Sequence, residues 1–195
     1  MNLQLRPAFV SFLGLSILTG LAYPLAFTGL ARLLFPRQAE GSLIRRDGRI
    51  LGSALIGQSF TDPGHFWGRP SATVDADGKP LPDNGANSGG SNLAPSNPEL
   101  LKAVQARIAA LRTADPGATG PVPVDLVTAS GSGLDPDISP SAAEFQVRRV
   151  AKARGLDEAQ VRALVARHTE APQLGLLGEP RVNVLELNLD LDGLR

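Results

Sequence analysis

A few serines and one histidine set the chemical question for this chain. Ser130 and Ser132 in SGSG, with Asp135 and His168, are the residue types of a nucleophile, an orienting acid and a general base. The run is not a G-x-S-x-G elbow, so no local turn presents either serine, and a hydrolase triad exists here only by free choice of partners. SGGSN (Ser88, Gly89, Gly90, Ser91, Asn92) and SGSG (Ser130, Gly131, Ser132, Gly133) are rich enough in glycine to offer backbone N–H groups to an anion. Neither ends in the Lys-Ser/Thr of a phosphate loop. Asp75-Ala76-Asp77-Gly78 opens like a calcium loop, but its twelfth position is Ala86 where a bidentate Glu is needed, so a solvated turn is expected. The chain has no Cys, which excludes disulfides, thiolate catalysis and Cys-ligated zinc, and no metal site is expected.

The elements around these residues must be short. Sixteen prolines and 21 glycines against one Tyr and one Trp indicate many turns. Nineteen basic residues balance nineteen acidic ones without a long run of either sign, so no nucleic-acid footprint is visible. SLIRRDGRILGS predicts a hairpin about Asp47-Gly48, a pair suited to a type I′ turn. Residues 61–98 are too rich in Gly, Pro, Asn and Asp for regular structure, while Phe66, Trp67 and Leu93 offer apolar anchors within that loop. Asn97-Pro98 opens a helix with Leu101, Val104, Ile108 and Leu111 inward, ending near Asp115. PVPVDLVTA reads as a short strand. Ser139-Pro140 opens a helix with Ala143, Val147 and Val150 on one side, closed by Gly155. Asp157 with Gln160 caps another, with Val161, Leu164, Val165 and His168 inward, before Pro172. VNVLELNLDLD alternates like a strand with one dry face. The sum is an α+β domain with long Gly/Pro-rich loops, here taken as residues 36–195, behind an N-terminal transmembrane anchor at 1–35.

That anchor follows from residues 7–31, 25 in all, which carry no Asp, Glu, Lys, Arg or His. At ~1.5 Å per residue they cross a ~30 Å hydrocarbon layer. A cleaved signal peptide, which would leave a secreted binding protein, is the shorter-cored alternative. Ser16, Gly20, Pro24 and Thr28 recur every four residues as a small, weakly polar stripe on which another helix can pack. Pro24 should kink the span and free a carbonyl near position 20, which Thr19, a water or a partner would satisfy. Positive charges, with Arg32, Arg37, Arg45 and Arg46 after the span against Arg6 before it, favour the carboxyl-terminal domain inside the cell.

LTGLAYPLAFTGLARLLFP, GSLIRRDGRILGSALIGQSF, FWGRPSAT, SGGSNLAPSNP, PVDLVTASGSGLDPDISPSAAEFQVRRVAKARGL and GEPRVNVLELNLDLD, in this order, resemble the C subunit family of the Kdp potassium-transporting ATPase. The resemblance covers nearly the whole chain, PVDLVTASGSGLDPDISP being its most specific stretch. It implies a non-catalytic, single-span accessory subunit of a high-affinity, ATP-driven potassium uptake complex in the bacterial cytoplasmic membrane. Its partners would be a channel-like potassium-translocating subunit, a P-type ATPase subunit and a small single-helix subunit. The main domain would be extracytoplasmic, against the charge count. The resemblance also implies a catalytic chaperone that raises the nucleotide affinity of the ATPase subunit, with a nucleotide contact at the glutamine that Gln146 in EFQVRRV matches. No cofactor is expected to bind this chain tightly, and ATP would act through the ATPase subunit. The small stripe, SGGSN and SGSG are the expected partner surfaces. DADGKPLPDNGAN departs from the family by its length. A membrane-tethered extracytoplasmic hydrolase or binding protein is the rival reading.

Overall fold

The computed structural model describes residues 4–194. The chain divides into two compact units, residues 1–50 and 51–195, with the division inside the second strand of the hairpin.

In the first unit, α1 (Leu5–Ile17), a π-helical turn (Leu18–Ala22) and α2 (Tyr23–Leu34) run on as one 30-residue helix, long and apolar enough to cross a membrane. Its side chains are exposed apart from a half-buried Ala31, as suits a helix solvated by lipid rather than by a protein core. The π turn lies directly ahead of Pro24. A proline ring collides with the carbonyl four residues back and brings no N–H, and closing the preceding turn at i+5 relieves that clash. Tyr23 N–H accordingly donates to Leu18 O. Thr19 Oγ1 donates to Leu15 O at 2.8 Å, one turn back on its own helix, and not to the carbonyl near position 20 that the sequence offered it. A single turn, α3 (Pro36–Ala39), follows. β1 (Leu43–Arg46) then pairs with β2 (Arg49–Ser53) about Asp47 at φ +52° and Gly48 at φ +75°, the two positive angles the hairpin requires.

The second unit carries α4 (Pro98–Ala114), a 3₁₀ turn (Val124–Leu126), β3 (Asp137–Ile138), α5 (Pro140–Arg154), α6 (Glu158–Arg167), β4 (Thr169–Glu170), β5 (Arg181–Asn183) and α7 (Val184–Leu191). β5 is the middle of a three-stranded antiparallel sheet, Ile138 and Thr169 both facing Val182 in register. Caps sit where the sequence puts them. Asn97 Oδ1 accepts from Glu99 N–H at 2.9 Å, Ser139 Oγ from Ala142 N–H at 3.1 Å, and Asp157 and Gln160 form a reciprocal capping box. Ala143, Val147, Val150, Val161 and Leu164 join Phe66, Leu126, Val182, Leu187 and Leu191 in one core.

Three local expectations are corrected. Leu101 is 60% exposed, the inward stripe of α4 being Val104, Ile108 and Leu111. PVPVDLVTA makes only the 3₁₀ turn, because Pro121 and Pro123 cannot donate to a ladder. VNVLELNLDLD ends as a strand at Asn183, whose Oδ1 accepts from Glu186 N–H at 3.1 Å and starts α7. Val184, Leu187, Asn188 and Leu191 then face inward at helical spacing, Asn188 entering the core that the strand reading kept it out of.

Candidate functional site

Residues 61–98 carry little regular structure, yet they are tied down at several points. In HFWGRP the irregular chain passes through the core, with Phe66 at 0% and Trp67 at 7% exposure. Buried peptide groups need partners, and here two side-chain amides supply them. Gln146 of α5 accepts from Trp67 N–H at 2.8 Å and donates to Trp67 O at 3.1 Å. Asn188 of α7 accepts from Phe66 N–H at 2.8 Å and donates to Phe66 O at 2.9 Å. Each amide pairs with one residue in both directions, as a neighbouring strand would.

Arg149 completes the bracket. Its guanidinium donates to the carbonyls of Pro63 and His65 and to Gln146 Oε1, and lies 4.5 Å from the centre of the Trp67 ring. Burial pulls its pKa down to about 10, the nearby Asp115 and Asp62 charges opposing that shift while the Arg107 charge reinforces it. It therefore stays cationic at neutral pH, stabilised by carbonyl dipoles and the indole face. Arg107 approaches the same ring at 5.4 Å and donates to Gly68 O and Leu126 O. Sequence reasoning missed Asn188, Arg149 and Arg107. The available signal was two aromatic residues in a Gly/Pro-rich stretch, which implies a buried backbone in want of hydrogen-bond partners.

SGGSN and SGSG are brought together. Gly89 N–H donates to Ser132 O at 2.8 Å and Ser88 Oγ to the same carbonyl at 3.0 Å. Gly90 lies so close to Gly131 that a Cβ on it would stand 2.8 Å from the Gly131 carbonyl oxygen. Gly133, at φ +68°, would place a Cβ 2.5 Å from Gly89 O and 2.6 Å from Thr73 Cγ2. Ser71 ties this clasp to the rest of the loop, donating to Gly133 O at 2.7 Å and accepting from Asp83 N–H at 2.9 Å. Ser91 and Asn92 stay exposed at its edge, Asn92 at φ +51°. The backbone donors of Gly89 and Gly133 are thus spent inside the protein, Gly133 N–H donating to Ser130 Oγ at 2.8 Å.

The other chemical candidates have separate partners. Ser130 is buried and occupied by Gly133, Asp135 binds Arg69 at 3.1 Å and the N–H of Asp137, and His168, the C-cap of α6, binds Asp190 at 2.9 Å. Asp75 Oδ1 accepts from the N–H groups of Asp77 and Lys79, making a tight turn with Gly78 at φ +78°. Among the described residues no three His, Asp or Glu side chains gather as metal ligands. Gln146, 1% exposed, has both ends of its amide engaged. Ser16, Gly20, Pro24 and Thr28 lie exposed on the apolar helix of the first unit.

A family model described as "K+-transporting ATPase, c chain" matches residues 5–193, from the first residue of α1 to just past the end of α7. The chain belongs to that family. A relative from Polaromonas naphthalenivorans, named Potassium-transporting ATPase KdpC subunit, is 66% identical over 191 residues, 98% of this chain and 95% of the relative. Proteins of the same name from Sorangium cellulosum and Methylibium petroleiphilum are 65% and 62% identical, over 98% and 100% of this chain and 98% and 100% of their own lengths. The c-chain match thus takes in the apolar helix, the bracketed HFWGRP segment and the glycine clasp together.

Proposed function

We propose that this chain is a non-catalytic accessory subunit of a high-affinity, ATP-driven potassium uptake complex. Leu5–Leu34 anchors it in the bacterial cytoplasmic membrane, with the α+β unit on the extracytoplasmic side, beside a channel-like subunit, a P-type ATPase subunit and a small single-helix subunit. The observation that carries this reading is the c-chain family match across residues 5–193. The occupied state of the chemical candidates supports a positioning role, since Ser130, Asp135 and His168 each serve a different local contact.

The same logic bears on nucleotide. Gln146 holds the backbone of Trp67 in the core, so a direct contact with ATP would first have to empty that bracket. A rise in the ATPase subunit's nucleotide affinity then comes by linkage: this subunit stabilises a state of the pump that binds ATP better, without sharing an atom with it. The small stripe of the span and the clasp edge at Ser88–Asn92 serve as assembly surfaces.

The test is purification of the detergent-solubilised complex with and without this subunit. Potassium-stimulated ATPase activity should fall at least tenfold without it, and the full-length chain alone should give no heat of binding with ATP. Micromolar ATP binding by the isolated chain, or undiminished activity of a complex lacking it, overturns the proposal. Gly20→Leu should lower recovery of the partner subunits several-fold, whereas Leu18→Ile should not.

A further inference from the structure

Between β4 and β5 the chain runs A-P-Q-L-G-L-L-G-E-P, and its leucines point away from the protein. Leu174 is 91% exposed, Leu176 86% and Leu177 61%. The loop is not loose. Gln173 N–H donates to Leu177 O at 2.8 Å and Leu177 N–H returns to Gln173 O at 2.9 Å, while Gly175 N–H donates to Pro172 O at 2.9 Å. Leu174 at φ +54°, Gly175 at +73° and Gly178 at +82° set the turn. The base is fixed by Arg181, which binds Glu170 at 2.7 Å and Asp137 at 3.2 Å. A hydrogen-bonded turn on a fixed base thus holds three leucines in water, an arrangement that stabilises nothing within this unit.

Charge decides what the turn fits. From Thr169 to Pro180 there are two acids, Glu170 and Glu179, and no Lys or Arg. Glu179 is exposed and has no ion-pair partner among the described residues. An anionic lipid surface would repel this rim, since surface-seeking apolar loops rely on flanking basic residues. A protein socket with an apolar floor and a basic rim complements both features. We propose that Leu174, Leu176 and Leu177 form a preorganised plug that docks into such a socket on another subunit of the potassium-transporting assembly, with Glu179 pairing at the rim. This rests on the accessory-subunit reading above and names one of its contact surfaces.

The test uses the full chain in its complex. A benzophenone amino acid in place of Leu176, irradiated in native membranes, should give an adduct of this chain with another pump subunit, identified by mass. The double substitution Leu174→Ser with Leu176→Ser should cut recovery of the partner subunits at least tenfold and leave the unfolding midpoint of the full chain within about a degree, because neither leucine packs on the fold. Adducts with lipid only, adducts with a second copy of this chain only, or wild-type recovery of partners by the double variant each overturn the plug. If the wild-type chain itself recovers no pump subunit, the accessory reading fails and the plug falls with it.

Discussion

Phe66-Trp67 and Leu174-Gly175-Leu176-Leu177 are both irregular segments with large apolar side chains, and they end in opposite places. The first lies in the core, and its peptide groups are met by Gln146 and Asn188 from two different helices. The second closes its own hydrogen bonds between Pro172 and Leu177 and leaves its leucine side chains in water. The difference lies in where the backbone finds partners. A loop can go inside only if other elements bring donors and acceptors to it; a loop that satisfies itself can be built on the surface and spend its apolar groups on something else.

The largest way to break this comparison is Gln146→Leu. It leaves the N–H and C=O of Trp67 unpaired and removes a partner of Arg149, so a loss of about 3–5 kcal/mol is expected in denaturant unfolding of the full chain in detergent. Gln146→Glu keeps the acceptor and should cost roughly half as much. Equal losses from the two variants would mean that the bracket holds by packing rather than by hydrogen bonds.

An intermediate case is Asp115, buried beside the half-exposed Arg148. The hydrogen bonds from Arg148 hold the Asp115 carboxyl below its ordinary range, with the nearby charge adding to them. A depressed carboxylate pKa contributes stability that is full above the unfolded value of about 3.9 and is lost as pH falls through the lower folded value. Arg148→Ala should therefore lower the unfolding midpoint at pH 7 and flatten its decline below about pH 4. An unchanged acid limb would remove this pair from the account.

The smallest effect sharpens the contrast most. Leu174→Gly deletes an entire leucine side chain but also relieves a left-handed backbone angle, so stability should change by less than about 0.5 kcal/mol. Leu187→Ala, in the core, should cost about 2–5 kcal/mol. A loss above about 1 kcal/mol for Leu174→Gly would show that the outer loop packs on its own unit after all.

Local signals were legible where one residue decides the outcome. Asp47-Gly48, Asn97-Pro98, Ser139-Pro140, Gly155 and the Asp157–Gln160 box all sit where their backbone chemistry requires. α7 was not legible as a helix, because leucines at every second position satisfy a strand, and the deciding event is the Asn183 cap followed by a core that accepts Asn188. The bracket and the clasp were hidden for a related reason. Gln146 and Trp67 are 79 residues apart and Ser88 and Ser132 are 44 apart, and composition carries no signal across such distances. The family, by contrast, was legible from the ordered set of motifs.

The π turn ahead of Pro24 has a consequence for how the apolar helix Leu5–Leu34 displays its small residues. On an ordinary α-helix, side chains four apart overshoot a full circle by about 40° at each step, so a stripe of that spacing winds away from any straight neighbour. A turn closed at i+5 holds more residues, and a four-residue step across it falls short instead. The two errors offset along Ser16, Gly20 and Pro24, as on a vernier brought back into phase. The proline is thereby expected to act as a pitch corrector, and its removal should twist the stripe residues after it out of line with those before it.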